Sequence, residues 1–210
     1  MADGHKRQHS TFHSNARMSE DLHLGWTDSV ADLEGIRLLQ QQNLKHLLPR
    51  EEALREGFTT AVYTLDFLQE MHGVHPSVVA RSDGRVVGYA LVTFPELRHG
   101  HPLLEDLFGK LDAVRFRGGL LRDASYVVVG QLCVGKGYRG RGLVQAMYGF
   151  FREGLSDRFE YCACDVDREN PRSLKAHIRT GFEVVDTLEY GGALWDVMVW
   201  DWRGLKQPQV

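Results

Sequence analysis

The sequence predicts a mixed α/β (α+β type) domain with one central sheet, antiparallel toward both ends and parallel in the middle. Three observations carry that expectation. The runs "SYVVVGQLCV", "GLVQAMYGFFREGL" and "EYCACDV" form a strand–helix–strand series, and such a crossover places its two strands parallel. "SVVARS" and "RVVGYALVTF" flank Asp83-Gly84, the dipeptide that best suits a two-residue hairpin turn. "FEVVDTLEY" and "ALWDVMVWDW" flank Gly191-Gly192 in the same manner. Together with the remaining runs these make a sheet of about seven strands, flanked by helices, in a single domain.

Residues 1–20 are polar and without periodicity, the pattern of a disordered leader, so the folded unit is expected over 21–205. "DLHLGWT" alternates as a strand does. "SVADLEGIRLLQQQNLKHLL" repeats apolar residues at helical spacing through Leu44, which predicts one helix ended by Pro49. A second helix is expected around "TLDFLQEMH", with Leu65, Leu68 and Met71 on one face. The stretch 95–124 then separates two strands by far more than an ordinary connection and holds one short helical pattern. Connections of that length tend to be lids or binding walls. The last helix is expected in "PRSLKAHIRT", between the parallel strands and the closing hairpin.

Composition narrows the partners. The chain has 210 residues and a formal charge of -3, enough length for a proper core and no chain-wide basic field for nucleic acid. No run approaches the ~20 apolar residues of a membrane span, and the first residues lack the apolar core of a signal peptide. Cys133, Cys162 and Cys164 are odd in number and form no CxxC, which suits reduced thiols in a cytoplasmic protein. His5, His9 and His13 are the residues with any metal-binding pattern, and a solvated tail accounts for them; no metal is called for.

The chemistry concentrates in "VGKGYRGRGL", Val134 to Leu143, a basic glycine loop between strand and helix. Glycines let backbone N–H groups approach an anion, and the helix N-terminus adds its positive dipole end, so phosphate is the expected guest. Walker A fails, because Arg141-Gly142 stand where Lys and Ser/Thr are required. The dinucleotide pattern GxGxxG is present as Gly135, Gly137 and Gly140. Arg139 and Arg141 interrupt it, however, and a second strand–helix–strand unit is missing. A nicotinamide-dependent oxidoreductase is therefore a distant alternative.

"QLCVGKGYRGRGLVQAMYGFF" resembles the acyl-CoA loop of the GNAT superfamily of N-acetyltransferases, with Arg139, Gly142 and Val144 at its signature positions; Val144 stands where the family has a small residue. A second family block resembles "NPRSLKAHIRTGFEVV", from Asn170 through Ser173 to Gly181-Phe182. The resemblance implies acetyl-CoA as cosubstrate. Backbone N–H groups from Arg139, Gly140, Arg141, Gly142, Leu143 and Val144 would cap its pyrophosphate, with Arg139 and Arg141 supplying charge. Leu132, Cys133 and Val134 would meet the pantetheine where two parallel strands splay apart. Asn170 would bond the pantetheine arm, although an Asn-Pro helix N-cap explains it as well.

Transfer to an amine needs a base for the ammonium and a proton for the thiolate. The family's tyrosine acid, seven residues after the Asn, is His177 here; an imidazole suits proton transfer, and a packing histidine is the plainer account. The carboxylate base of ribosomal-protein acetyltransferases in the family maps onto Asp165, which shares a strand face with Asp167. Glu96, at the root of the long connection, is the second candidate base. Solvated strand ends are the plainer account of the aspartates. The sequence thus implies an N-acetyltransferase acting on a small-molecule or peptide amine, with a homodimer left open. A non-catalytic acyl-CoA-binding module is the alternative, favoured by His177 and Val144.

Overall fold

The central strands are apolar on both faces because helices cover the sheet from both sides. The computed structural model describes residues 22–205; the leader expected at 1–20 lies outside them. Seven strands, β1 (Leu22–Trp26), β2 (Val78–Ser82), β3 (Arg85–Thr93), β6 (Tyr126–Val134), β7 (Tyr161–Asp167), β8 (Glu183–Tyr190) and β9 (Ala193–Asp201), form one sheet in the order β1-β2-β3-β6-β7-β9-β8. Every pair is antiparallel except β6–β7. Both hairpins turn at the expected residues, with positive φ at Asp83, Gly84, Gly191 and Gly192.

Helices α1 (Val30–Gln41), α3 (Leu65–Val74) and α4 (Pro102–Ala113) bury Ile36, Leu68, Met71, Leu104 and Phe108 on one face. Helices α5 (Leu143–Leu155) and α6 (Pro171–Thr180) cover the other, where Met147, Tyr148, Phe151 and Leu155 meet Met198, Trp200 and Trp202. Two expectations need correction. Helix α1 stops at Gln41, eight residues short of Pro49: the Asn43 side chain bonds back to the Leu39 carbonyl at 2.7 Å, and Leu44 runs beside Thr59 as an extended bridge. Pro49 instead opens a helix that periodicity did not suggest, α2 (Arg50–Glu56). The 95–124 connection is itself folded, into a 3₁₀ segment (Pro95–Gly100), α4, and a small hairpin of β4 (Arg115–Phe116) with β5 (Gly119–Leu120).

Two irregularities open the sheet at one place. Ala90 pairs with Leu132 and Val92 with Val129, so Gly130 and Gln131 on β6 oppose Leu91 alone, a β-bulge that bends β6. The parallel partnership of β6 with β7 runs only from Tyr126↔Tyr161 to Val128↔Ala163. Beyond it the strands part, and among the described residues the β7-facing edge of β6 from Val129 to Val134 has no strand partner.

Candidate active site

The wide half of the cleft lies between the glycine loop and α6. Gly140 and Gly142 take φ of +76° and +77°, a left-handed backbone that a side chain would strain. Gly142 is also the N-cap of α5 and offers no capping side chain, so the first N–H groups of this 13-residue helix lack an intrahelical partner. They open on a cavity of about 620 Å³ lined by Leu132, Cys133, Val134, Leu143, Val144, Asn170 and Ser173, among others. Orphan donors at a helix N-terminus, beside a roomy cleft with cationic walls, fit a pyrophosphate.

The two loop arginines have separate fates. The sequence casts Arg139 as a solvated source of charge for phosphate. Instead its Nε donates to the Val134 carbonyl at 2.9 Å, its guanidinium meets Asn43 Oδ1 and Glu56 lies 3.5 Å away, leaving the side chain 11% exposed. It staples the loop to the segment after α1 and is largely neutralised there. Arg141 stays exposed over the Tyr138 ring at 5.6 Å. Further charge comes from Arg172, Lys175 and Arg179, which line the cavity from α6; Arg172 shares Glu56 with Arg139.

The narrow half lies where β6 and β7 part, a cavity of about 60 Å³ sharing Thr59, Leu132, Asn170, Ser173 and His177 with the first. Asp165 lines it, and its Oδ2 is buried without a hydrogen-bond partner. Burial pushes this carboxyl up to about 7, the range in which a carboxylate exchanges protons near neutral pH. Thr60, also lining, holds a second buried, unpartnered oxygen. The bulge beside them is braced from inside. Gln131 donates from Nε2 to the Ala61 carbonyl at 2.9 Å and accepts at Oε1 from Tyr89 (2.6 Å) and Gln40 (2.9 Å). Gln40 in turn accepts the Tyr63 N–H at 2.9 Å, and the Tyr63 hydroxyl donates to the Gly130 carbonyl at 2.9 Å.

The other candidates sort by geometry. His177 is 4% exposed. Its Nδ1–H donates to the Ser173 carbonyl at 2.8 Å, and Nε2 accepts from the Tyr148 hydroxyl at 2.7 Å. A carbonyl only accepts, so the ring is held as one neutral tautomer with both nitrogens occupied, and burial lowers its pKa to about 4. This is the arrangement of a packing histidine, contrary to its assignment as acid. Asp167 is consumed by Lys45 at 2.8 Å and by the Glu169 N–H. Asn170 caps α6 through the Ser173 N–H (3.2 Å) and donates to the Phe58 carbonyl (3.0 Å), with one lone pair and one N–H left over. Burial pushes the Cys133 thiol up to about 12, which leaves it inert. Glu96 does not join this group. It sits with Tyr126 and Phe159 in another depression, at the start of β6, four residues or roughly 13 Å of strand from Gly130.

The model of the Acetyltransferase (GNAT) family matches residues 42–182. The chain belongs to this family. Among solved structures, an acetyltransferase of the GNAT family from Streptococcus agalactiae aligns with a TM-score of 0.62 at 14% identity, covering 89% of this chain and 98% of its own. Arabidopsis thaliana NAA60 in complex with acetyl-CoA aligns at 0.57 and 18% identity, over 86% and 99%. The ribosomal-protein-S18-alanine N-acetyltransferase from Escherichia coli aligns at 0.56 and 12%, over 86% and 93%. At these identities the likeness is one of fold. No curated protein matches the chain.

In this GNAT chain the bracing residues Gln40, Tyr63, Tyr89 and Gln131 went unsuggested by sequence patterns, as did Thr60. One sign was there: Gln131 and Gly130 interrupt an otherwise apolar strand, the mark of a bulge or close backbone approach. Gly130 shows the reason, since a Cβ there would collide with Thr93.

Proposed function

We propose that the protein is an acetyl-CoA-dependent N-acetyltransferase that acetylates a primary amine by direct attack in a ternary complex. One observation carries this reading: Asp165, a half-buried residue with one carboxylate oxygen buried and unpartnered, stands where β6 loses its parallel neighbour. Family membership supports acetyl transfer in general. The open β6 edge and the uncapped α5 N-terminus support the placement of the cosubstrate.

Acetyl-CoA, when bound, supplies an acyl carbonyl activated as a thioester. Residues Leu132 to Val134 would hold its pantetheine arm by backbone bonds. The N–H groups of Gly140 to Val144 would hold its pyrophosphate, with Arg141 and the α6 cations for charge and Asn170 and Ser173 at the arm's side. Asp165 takes the proton of an incoming ammonium at Oδ2, which exposes the lone pair that attack requires. With a pKa of about 7 it is ionised in a useful fraction at neutral pH and strong enough to strip a bound ammonium in a dry site. No dedicated acid is needed, because a thiol titrates at about 8.5 and its thiolate is an adequate leaving group. The occupied His177 is then no obstacle. That same occupancy favours the second reading, an acyl-CoA-binding protein without transfer.

Calorimetry with CoA, acetyl-CoA and NAD, followed by thiol release in the presence of amines, tests both. Acetyl-CoA binding with amine-dependent thiol release that Asp165→Asn abolishes is the expected result. Binding of NAD in place of CoA overturns both readings; acetyl-CoA binding without thiol release for any amine leaves only the second.

A further inference from the structure

Resting on the transfer reading above, we infer that the acceptor is a primary amine at the end of an unbranched methylene chain, not the α-amine of an amino acid or a peptide. Three features of the narrow cavity carry this. First, its volume is about 60 Å³, room for about four water-sized groups at ~10–15 Å³ each. That accommodates a nitrogen and a few methylenes in line, whereas an α-amine brings a side chain and a carbonyl on the adjacent carbon.

Second, a chain of ring contacts drawn from three segments runs from the bulge to Trp195 at the cavity. Tyr63, leading into α3, meets His101 at the N-cap of α4 with ring centroids 5.1 Å apart; His101 meets Tyr190 at 6.3 Å; Tyr190 meets Trp195 across the β8–β9 hairpin at 6.4 Å. Trp195 lines the cavity directly, as does Leu103, two residues beyond His101. Tyr63 bonds the Gly130 carbonyl at the bulge. These contacts join the hairpin to the α4 N-terminus, so an extended peptide lying between them would have to break them.

Third, the charges select for a lone cation. Asp165 is the unpaired carboxylate, and the Trp195 ring that lines the same cavity attracts an ammonium. Among the described residues no lysine or arginine lines the cavity, and Lys45, which reaches the lining residue Asp167, is bound to it and to Glu169. Burial also keeps His101 neutral by lowering its pKa. An amino acid's carboxylate would enter beside Asp165 with no positive partner, which is costly in a dry site. Thr60 lines the same cavity with a second buried oxygen that has no partner.

The same chemistry is offered by a free alkylamine or diamine and by a lysine side chain. Thiol release with acetyl-CoA would be measured for 1-aminobutane, 1,4-diaminobutane, Nα-acetyl-lysine methylamide, alanine and an alanyl peptide amide. The expected result is a kcat/KM for the best of the first three at least about tenfold above both α-amines; the ranking among the three tells a free amine from a lysine side chain. An alanyl peptide or alanine that matches or exceeds them overturns the inference while leaving N-acetyl transfer intact. Acetyl-CoA binding with no release for any amine overturns both inference and transfer, and absence of acetyl-CoA binding in calorimetry overturns the reading on which they rest. Tyr190→Leu, at a half-exposed hairpin position, should raise KM for the preferred alkylamine about tenfold with acetyl-CoA affinity unchanged; an unchanged KM would remove these ring contacts from amine recognition.

Discussion

The two halves of the cleft share Leu132, Asn170, Ser173 and His177 yet are built on opposite principles. The wide half, on the proposed reading, would recognise through backbone N–H groups and exposed cations, in an open cavity of about 620 Å³ where water screens charges such as Arg141. The narrow half, on the proposed reading, would recognise through exclusion: about 60 Å³, with Phe58, His177 and Trp195 among its lining and one carboxylate oxygen deprived of partners. The difference teaches where single residues matter. Contacts in the wide half are many and individually weak, so losses there are graded. Of the three candidate carboxylates only Asp165 keeps an unpartnered oxygen in the narrow half, since Asp167 is spent on Lys45 and Glu96 belongs to another depression.

The largest expected effect therefore falls on Asp165. Asp165→Asn should lower turnover by the ~10²- to 10⁴-fold typical of a lost general base, with acetyl-CoA affinity held within about twofold. It should also stabilise the fold at high pH. Burial raises the folded-state pKa to about 7, so between about pH 4 and 7 the folded chain keeps a proton that the unfolded chain releases, and stability falls as pH rises through that window. The full penalty is on the order of 4 kcal/mol above pH 7. Denaturant midpoints of both proteins at about pH 5 and about pH 8 check this: the variant should gain at the higher pH and not at the lower. The acidic limb of the wild-type rate profile should lie at the same pKa.

Next come the residues that brace the cleft. Arg139→Ala should cost ~1.5–3 kcal/mol of stability, because a mostly buried guanidinium and its carbonyl, amide and carboxylate partners lose one another together; the urea midpoint reports it. His177→Phe should leave the Tyr148 hydroxyl buried without an acceptor and cost ~1–3 kcal/mol, while turnover stays within about threefold. A rate loss of hundreds would return His177 to the chemistry. Burial lowers the histidine's pKa to about 4, so wild-type stability should drop as pH falls from about 6.5 toward 4, and the phenylalanine variant should lack that slope.

The smallest effect is expected on the open side. Arg141→Ala with Lys175→Ala should weaken CoA binding about tenfold, leave the urea midpoint unchanged and lessen the salt dependence of affinity. A larger loss would show that the wide half concentrates its recognition as the narrow half does.

Much of this molecule was legible in its sequence. The hairpin turns, the strand–helix–strand unit and the glycine loop come from local patterns, since a turn dipeptide or a Gly-rich N-terminus acts within a few residues; Asp165 was singled out by the family resemblance. Helix α1 was overextended because apolar spacing persists through Leu44, while the stop comes from Asn43 bonding back to Leu39, a contest periodicity does not register.

What the sequence alone determined is the order of the elements, the parallel pair and the glycine-rich, basic loop at the start of a helix, all properties of residues that are neighbours along the chain. Only the tertiary structure decided which polar groups are already spoken for. Arg139 and Arg141 stand two residues apart in one motif, yet one is tied to Asn43 and Glu56 and the other lies exposed over Tyr138. Asp165 and Asp167 share a strand face, yet Lys45, 122 residues before Asp167, neutralises one and leaves the other with a buried, unpaired oxygen. Availability for chemistry depends on partners brought from distant segments and on the water they exclude, and neither is written in local sequence.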